Sequence, residues 1–214
     1  MAGRTDHRSP ARQQAVYVGC NATKFSKMIK GSASTISILV FFVFCSCGQT
    51  NNTKPRSKFF EFLNNYQADS LQTILASDFE INRTFINNKT ERNRFFEYYL
   101  PVSRNFNTKL KVLKSEISEK TEIYQVEDHS DYLELLKIDY PEWIITLNKN
   151  SRGQIKSAVF DTTKSFQKYL LQSKEKGEAF GNWLHIKYPE DKNDDIYTVP
   201  GLMQKRLQEY IKGN

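Results

Sequence analysis

Cysteine is almost missing from this chain. Its three copies, Cys20, Cys45 and Cys47, all fall in the first 47 residues, so the 167 residues from Gly48 onward hold none. That excludes a disulfide framework and a thiolate metal site from the folded part. Histidine is as scarce. After residue 47 only His129 and His185 remain, with no second histidine at metal-ligand spacing, which argues against any metal site. No cofactor is expected, because no catalytic motif stands above background. A membrane-spanning helix is also lacking. The longest apolar run, Ile36 to Cys47, reaches about half of the ~20 residues that a span needs. Excess charge of one sign is missing too, once the chain is divided. The net +7 comprises six Lys/Arg against one Asp in residues 1–47, and 25 against 23 in residues 48–214. A net of +2 with no long basic block excludes nucleic acid as a partner.

What is present begins with the short apolar run. Met28-Ile-Lys30 precedes it, with small residues from Gly31 to Thr35, and the polar stretch Gly48 to Lys54 follows. A basic start, a 7–15-residue apolar core and a small residue before a cut is the logic of a secretory signal. Phe44-Cys45-Ser46-Cys47 resembles the lipobox of bacterial lipoproteins, with Ser46 small at −1 and Phe44 where leucine is usual. An uncleaved anchor is the other reading of the run. The resemblance implies lipid attachment at Cys47. It also implies a location in the bacterial cell envelope, anchored by lipid to the outer membrane on its periplasmic or surface side. Residues 28–47 are then the signal peptide ending at the lipidated cysteine, and residues 48–57 a polar tether. Residues 1–27 are basic and scattered in apolar content. They fit either a transit peptide or, more simply, an extension upstream of a true start at Met28.

In the remainder, hydrophobic spacing sets the elements. "KFFEFLNNYQ" puts Phe59, Phe62, Leu63 and Tyr66 on one helical stripe, and Asp69 can cap "SLQTILAS". "DFEI" reads as a short strand. Thr90 can cap "ERNRFFEYYL", which should stop near Leu100 because Pro101 disfavours helix in the residue before it. After Phe106 the period becomes 2. Five strands are expected, at 108–118, 121–128, 131–139, 142–150 and 154–163, with Trp143, Ile145 and Leu147 on one face and a turn at Gly153. From Lys164 the period is helical again, to Pro189, and a last helix follows Pro200. Helices first and strands afterwards imply an α+β domain: a curved antiparallel sheet with helices on one face over residues 58–163, and a C-terminal helical extension over 164–214.

This order, with "SDFEI" (77–81), "EDHSDYLELL" (127–136) and "EWIITLNKNSRGQIKSAVF" (142–160), is similar to the nuclear-transport-factor-2-like superfamily, including its SnoaL-like polyketide cyclases. The resemblance implies a conical pocket between sheet and helices. Tyr98, Tyr132, Trp143 and Ala158 are its candidate lining. Acid–base chemistry in such a pocket needs a desolvated carboxylate. Asp131 and Asp161 are the candidates, yet polar neighbours and strand-end positions argue for turn and cap roles. No family catalytic set maps residue by residue. The expected function is therefore a membrane-anchored domain that binds a small apolar ligand or a protein partner without catalysis. The alternative is a SnoaL-like isomerase, cyclase or hydrolase using a pocket aspartate. Family habit and two-sided apolar strands also imply a homodimer.

Overall fold

A computed structural model describes residues 57–86, 88–191 and 195–213. Cys47 and the stretches expected as signal peptide and tether, up to residue 56, lie outside the described residues. Ser57 opens the fold. Its Oγ accepts from the Phe59 backbone N–H (3.3 Å) and caps α1 (Lys58–Asn64). The expected inward stripe is shifted: Phe59 and Phe60 are buried, while Phe62, Leu63 and Tyr66 pack only partly against the core. In α2 (Ala68–Ile74), Asp69 lies within the first turn and Gln67 takes the cap position. The short strand expected at "DFEI" grows to nine residues, β1 (Leu75–Arg83).

Thr90 does not cap a helix. It is fully buried in β2 (Asn88–Glu91), where its Oγ1 accepts from Arg83 Nη1 (3.1 Å). Nor does the next helix stop at Leu100. It runs from α3 (Arg92–Arg94) through a π-helical turn (Phe95–Tyr99) into α4 (Leu100–Asn105), which carries Pro101 in its first turn. Leu100 N–H bonds Phe95 C=O across the wide turn. The added width relieves the clash between a proline ring and the carbonyl four residues back, so the chain stays helical through it.

Four of the five expected strands form: β3 (Lys109–Ile117), β4 (Thr121–His129), β5 (Glu142–Lys149) and β6 (Ile155–Thr162). The stretch 131–139 instead begins as a helix, α5 (Asp131–Leu135). Ser130 Oγ accepts from Leu133 N–H (3.3 Å) as the N-cap, and Asp131 and Glu134 occupy the first turn, where the helix dipole favours negative charge.

The six strands run in the order β2-β1-β6-β5-β4-β3. All neighbours are antiparallel except β1 and β6, which pair in parallel. The class is α+β, with a curved, unclosed sheet. Trp143, Ile145 and Leu147 point inward and are buried, with Ile144 and Thr146 on the other face, as their alternation requires. The β5–β6 turn uses Gly153 at φ +76°. The free edge of β3 is partly closed by the Asn64 carboxamide, which exchanges two hydrogen bonds with the Leu110 backbone (2.9 and 2.8 Å). The C-terminal extension is α6 (Phe166–Lys187), ending before Pro189, then α7 (Asp195–Thr198) and α8 (Leu202–Gly213).

Two hydrophobic clusters result. The first lies between the inner sheet face and α1, α2 and the π turn, around Phe59, Leu71, Phe79, Tyr124, Ile145 and Leu147. The second joins α5 to the extension through Tyr132, Leu133, Phe180, Ile196, Met203 and Leu207. Asn105 and Gln204 tie the extension down. Asn105 Nδ2 donates to Tyr197 C=O (3.0 Å), and Gln204 Nε2 donates to Asn105 C=O.

Candidate functional site

A cavity of about 180 Å³ is lined by residues of both clusters. Its walls are mostly apolar. Phe59 and Leu63 come from α1, Phe95, Tyr99 and Val102 from the π turn and α4, and Ile81 and Phe160 from the sheet. Tyr169 and Tyr197 add the extension's contribution. Such a lining with a few placed polar groups is the ordinary constitution of a small-molecule site.

Strand parity delivers the first polar group. Along β4 the side chains of Tyr124 and Val126 are buried in the core, and Asp128, two residues on, shares their face and lines the cavity. Its Oδ1 is closed to solvent and accepts no hydrogen bond. Burial pushes the carboxyl from 3.8 up to about 7, and a hydrogen bond from the Trp143 side chain draws it part of the way back. A carboxyl that ionises near neutrality, in apolar surroundings, can both take and return a proton at working pH.

The second is Tyr132, which α5 turns inward. Its ring is buried, edge-on to Phe106 (6.1 Å), and its hydroxyl has no hydrogen-bond partner. Burial first, then the neighbouring Tyr197 and Tyr169, push its ionisation upward, so the phenol remains a proton-bearing donor. The third is Arg83 on β1, buried in the cavity wall. Beyond its bond to Thr90, its guanidinium lies over the rings of Tyr99 (5.2 Å) and Phe160 (5.9 Å).

Of the residues singled out in the sequence, Tyr132 lines the cavity. Tyr98 packs edge-on against Tyr99 (5.6 Å), beneath Arg94. Trp143 is buried beside Phe85, Phe166 and Tyr169. Ala158 is wholly buried on the inner face of β6. Asp131 sits outside the lining, where it accepts from Asn107 Nδ2 (3.3 Å) and Gln204 Nε2 (3.4 Å). Asp161 is exposed on the outer sheet face and accepts from Thr84 Oγ1 (2.6 Å). Neither aspartate borders the cavity; Asp128 does, and the alternation Tyr124-Val126-Asp128 was the signal for it. Among the described residues, no group of three His, Cys, Asp or Glu side chains is placed to hold a metal ion, and no helix is long and apolar enough to cross a membrane.

No protein-family model and no curated protein matches the sequence. Solved structures do resemble the chain. One is a nuclear-transport-factor-2-like protein of unknown function from Cytophaga hutchinsonii: 15% identity, TM-score 0.37, covering 48% of this chain and 80% of that one. A SnoaL-like protein of unknown function from Burkholderia thailandensis resembles it at 7% identity and TM-score 0.39, over 48% and 86%. An epoxide hydrolase/cyclase-like enzyme of pyran-ring formation in the polyether salinomycin does so at 11% identity and TM-score 0.43, over 50% and 87%.

Proposed function

We propose that the domain encloses a small, largely apolar molecule and transfers a proton on it, in an isomerase- or cyclase-type reaction. Asp128 is the acid–base group, and Tyr132 donates a hydrogen bond to the oxygen on which charge develops. One observation carries this reading: a carboxyl oxygen closed to solvent and without a hydrogen-bond partner, on the half-buried Asp128, lines the same apolar cavity as an unpartnered phenol. Binding without turnover shares the cavity and would leave that carboxyl without a task. Buried polar atoms are normally satisfied, so two unpartnered ones in one cavity favour a ligand that satisfies them. The proposal includes attachment of the domain to the cell envelope through lipid on Cys47, which the sequence at residues 44–47 supports.

The generic C–H acid 5-nitrobenzisoxazole tests the chemistry, because any base in an apolar cavity that admits it opens its ring by removing one proton. The chain should accelerate this elimination, with a rate that rises with pH through an apparent pKa near 7. Asp128→Asn should abolish the acceleration, and Tyr132→Phe should reduce it about tenfold or more. A rate no higher than that of acetate at equal concentration, or an unchanged rate in Asp128→Asn, would sink the acid–base role.

A further inference from the structure

We propose that Ser130 supplies a second hydroxyl donor, beside Tyr132, to the oxygen on which charge develops in the cavity. This rests on the reading that Asp128 moves a proton there, and it adds a residue to that machinery.

Position supports it first. Asp128, Ser130 and Tyr132 are alternate residues, and all three line the cavity. The backbone at Ser130 is still extended (φ −157°, ψ 156°), so its side chain follows Asp128 onto one face, ~6.6 Å further along the chain. Two backbone bonds hold this stretch: Asp128 N–H donates to Pro141 C=O and Asp131 N–H to Phe106 C=O, both at 2.9 Å. A base meets the carbon it deprotonates at about 3–3.5 Å, and a hydroxyl meets an oxygen at ~2.8 Å. Groups spaced as Asp128 and Ser130 are can therefore grip the two ends of one H–C–X–O unit.

Valence supports it next. A serine hydroxyl has one proton to give and two lone pairs. Leu133 N–H (3.3 Å) occupies one lone pair and fixes the oxygen in place, while no described residue accepts the proton. The hydroxyl, rather than the start of this five-residue helix, is what the cavity meets. Tyr132 is the independent sign that an oxygen belongs here: it is 7% exposed, and its own hydroxyl has no partner among the described residues. Other polar groups in the wall serve less well. The Asn64 carboxamide is spent on the Leu110 backbone. Thr108, which continues the β3–β4 register to face Ser130, has no bond within the described residues that orients its hydroxyl. A donor aimed before the reaction is worth more than one that must be ordered during it.

Ring opening of 5-nitrobenzisoxazole by the full chain tests this. The ring C–H proton passes to Asp128, its electron pair completes the nitrile, and the N–O bond breaks to leave a phenolate oxygen for the two hydroxyls. Glycine caps a helix nearly as well as serine, so Ser130→Gly removes the donor and spares α5. It should lower kcat about five- to tenfold, with KM held within about twofold. The midpoint of the pH–rate profile should stay in place, since Ser130 is not among the groups that act on the Asp128 carboxyl. Ser130→Thr, which keeps a hydroxyl, and Thr108→Val should both stay within about twofold of the unmodified chain. Where Ser130→Gly does not fold, Ser130→Cys keeps the volume, offers only a weak donor and should show the same loss. An unchanged kcat in folded Ser130→Gly, an equal loss in Ser130→Thr, or a rise in KM alone overturns the second donor and leaves the Asp128 chemistry standing. A larger loss in Thr108→Val than in Ser130→Gly also overturns it, and gives the role to Thr108. No acceleration by the unmodified chain removes the proton-transfer reading itself, and the second donor with it.

Discussion

The cluster beneath the sheet and the cluster beneath the C-terminal helices solve the same burial problem differently. The first is set by strand alternation. Tyr124, Val126, Ile145 and Leu147 come inward at every second residue and meet Phe59, Phe60 and Leu71 from the N-terminal helices, with almost no exposure left. The second is assembled from helix faces. Leu133, Phe180, Ile196, Met203 and Leu207 come from four separate segments, rimmed by partly exposed Tyr140, Trp183 and Tyr210. Strands at fixed spacing close their own gaps; short helices at several angles do not. The cavity borders both clusters, and its polar groups come from both kinds of element: Asp128 and Arg83 from strands, Tyr132 from a helix. The lesson is that the sheet supplies rigid placement, while the helices supply enclosure.

Leu147→Ala and Leu207→Ala press hardest on that comparison. Both side chains are essentially inaccessible, and each truncation should cost about 2–5 kcal/mol in urea unfolding. They should differ at the cavity. Loosening the helical cluster admits water, so Leu207→Ala should move the Asp128 carboxyl down towards ~4 in an NMR titration, whereas Leu147→Ala should leave it near 7. The same movement in both variants would mean that the two clusters act as one.

Asp128→Asn sharpens the same point through pH. A carboxyl raised from 3.8 to about 7 keeps its proton in the fold while the unfolded chain has lost it. Its contribution is nil below pH ~4, becomes increasingly destabilising between ~4 and 7, and is constant above. Removing the charge should therefore stabilise the protein at pH 8, by at most on the order of 4 kcal/mol at 1.36 kcal/mol per pH unit, and by nothing at pH 3.5. Equal thermal midpoints for the two proteins at pH 8 would show that the carboxyl is well solvated.

Smaller effects are expected outside the two cluster interiors. Ser130→Ala removes the cap of α5 and should cost about 1 kcal/mol. It should also weaken the hold on Tyr132, read as a more than additive loss of the proton-abstraction rate. Least of all, Asp131→Asn and Asp161→Asn should change stability by no more than ~0.5 kcal/mol and leave that rate within about twofold. A large loss in either would return the chemistry to the residues that the loop sequence first drew forward.

Much of the fold was readable because hydrophobic period is a strong signal over long elements. Trp143-Ile145-Leu147 on β5, the Gly153 turn and the helix ending at Pro189 all follow from it. The misreadings have local causes. "DYLELLKID" alternates well enough for a strand, but the Ser130 hydroxyl and the acidic first turn decide for helix. β2 is only four residues and leaves no periodic trace. The site was half visible. Tyr132 stood out as a buried aromatic beside an acid, but the acid that matters is three residues earlier, in register with Tyr124 and Val126. Arg83 could not be read at all. Its burial depends on the parallel pairing of β1 with β6, in which Arg83 meets Phe160, 77 residues away, a contact that no local pattern encodes.

The wide turn at Phe95–Tyr99 makes one wall of the cavity unusually easy to remodel by a change in chain length. A π turn is an α-helix with one residue inserted. Deleting a single residue there would restore ordinary helix and rotate everything downstream by about 100°. Val102, Ser103 and Phe106 would swing off the cavity together, and three other side chains would take their places. One lost codon would thus recast a whole wall, where point substitution would need several coordinated steps. Divergence among proteins of this architecture would then be recorded at this helix as gaps, with ligand preference changing abruptly across each one.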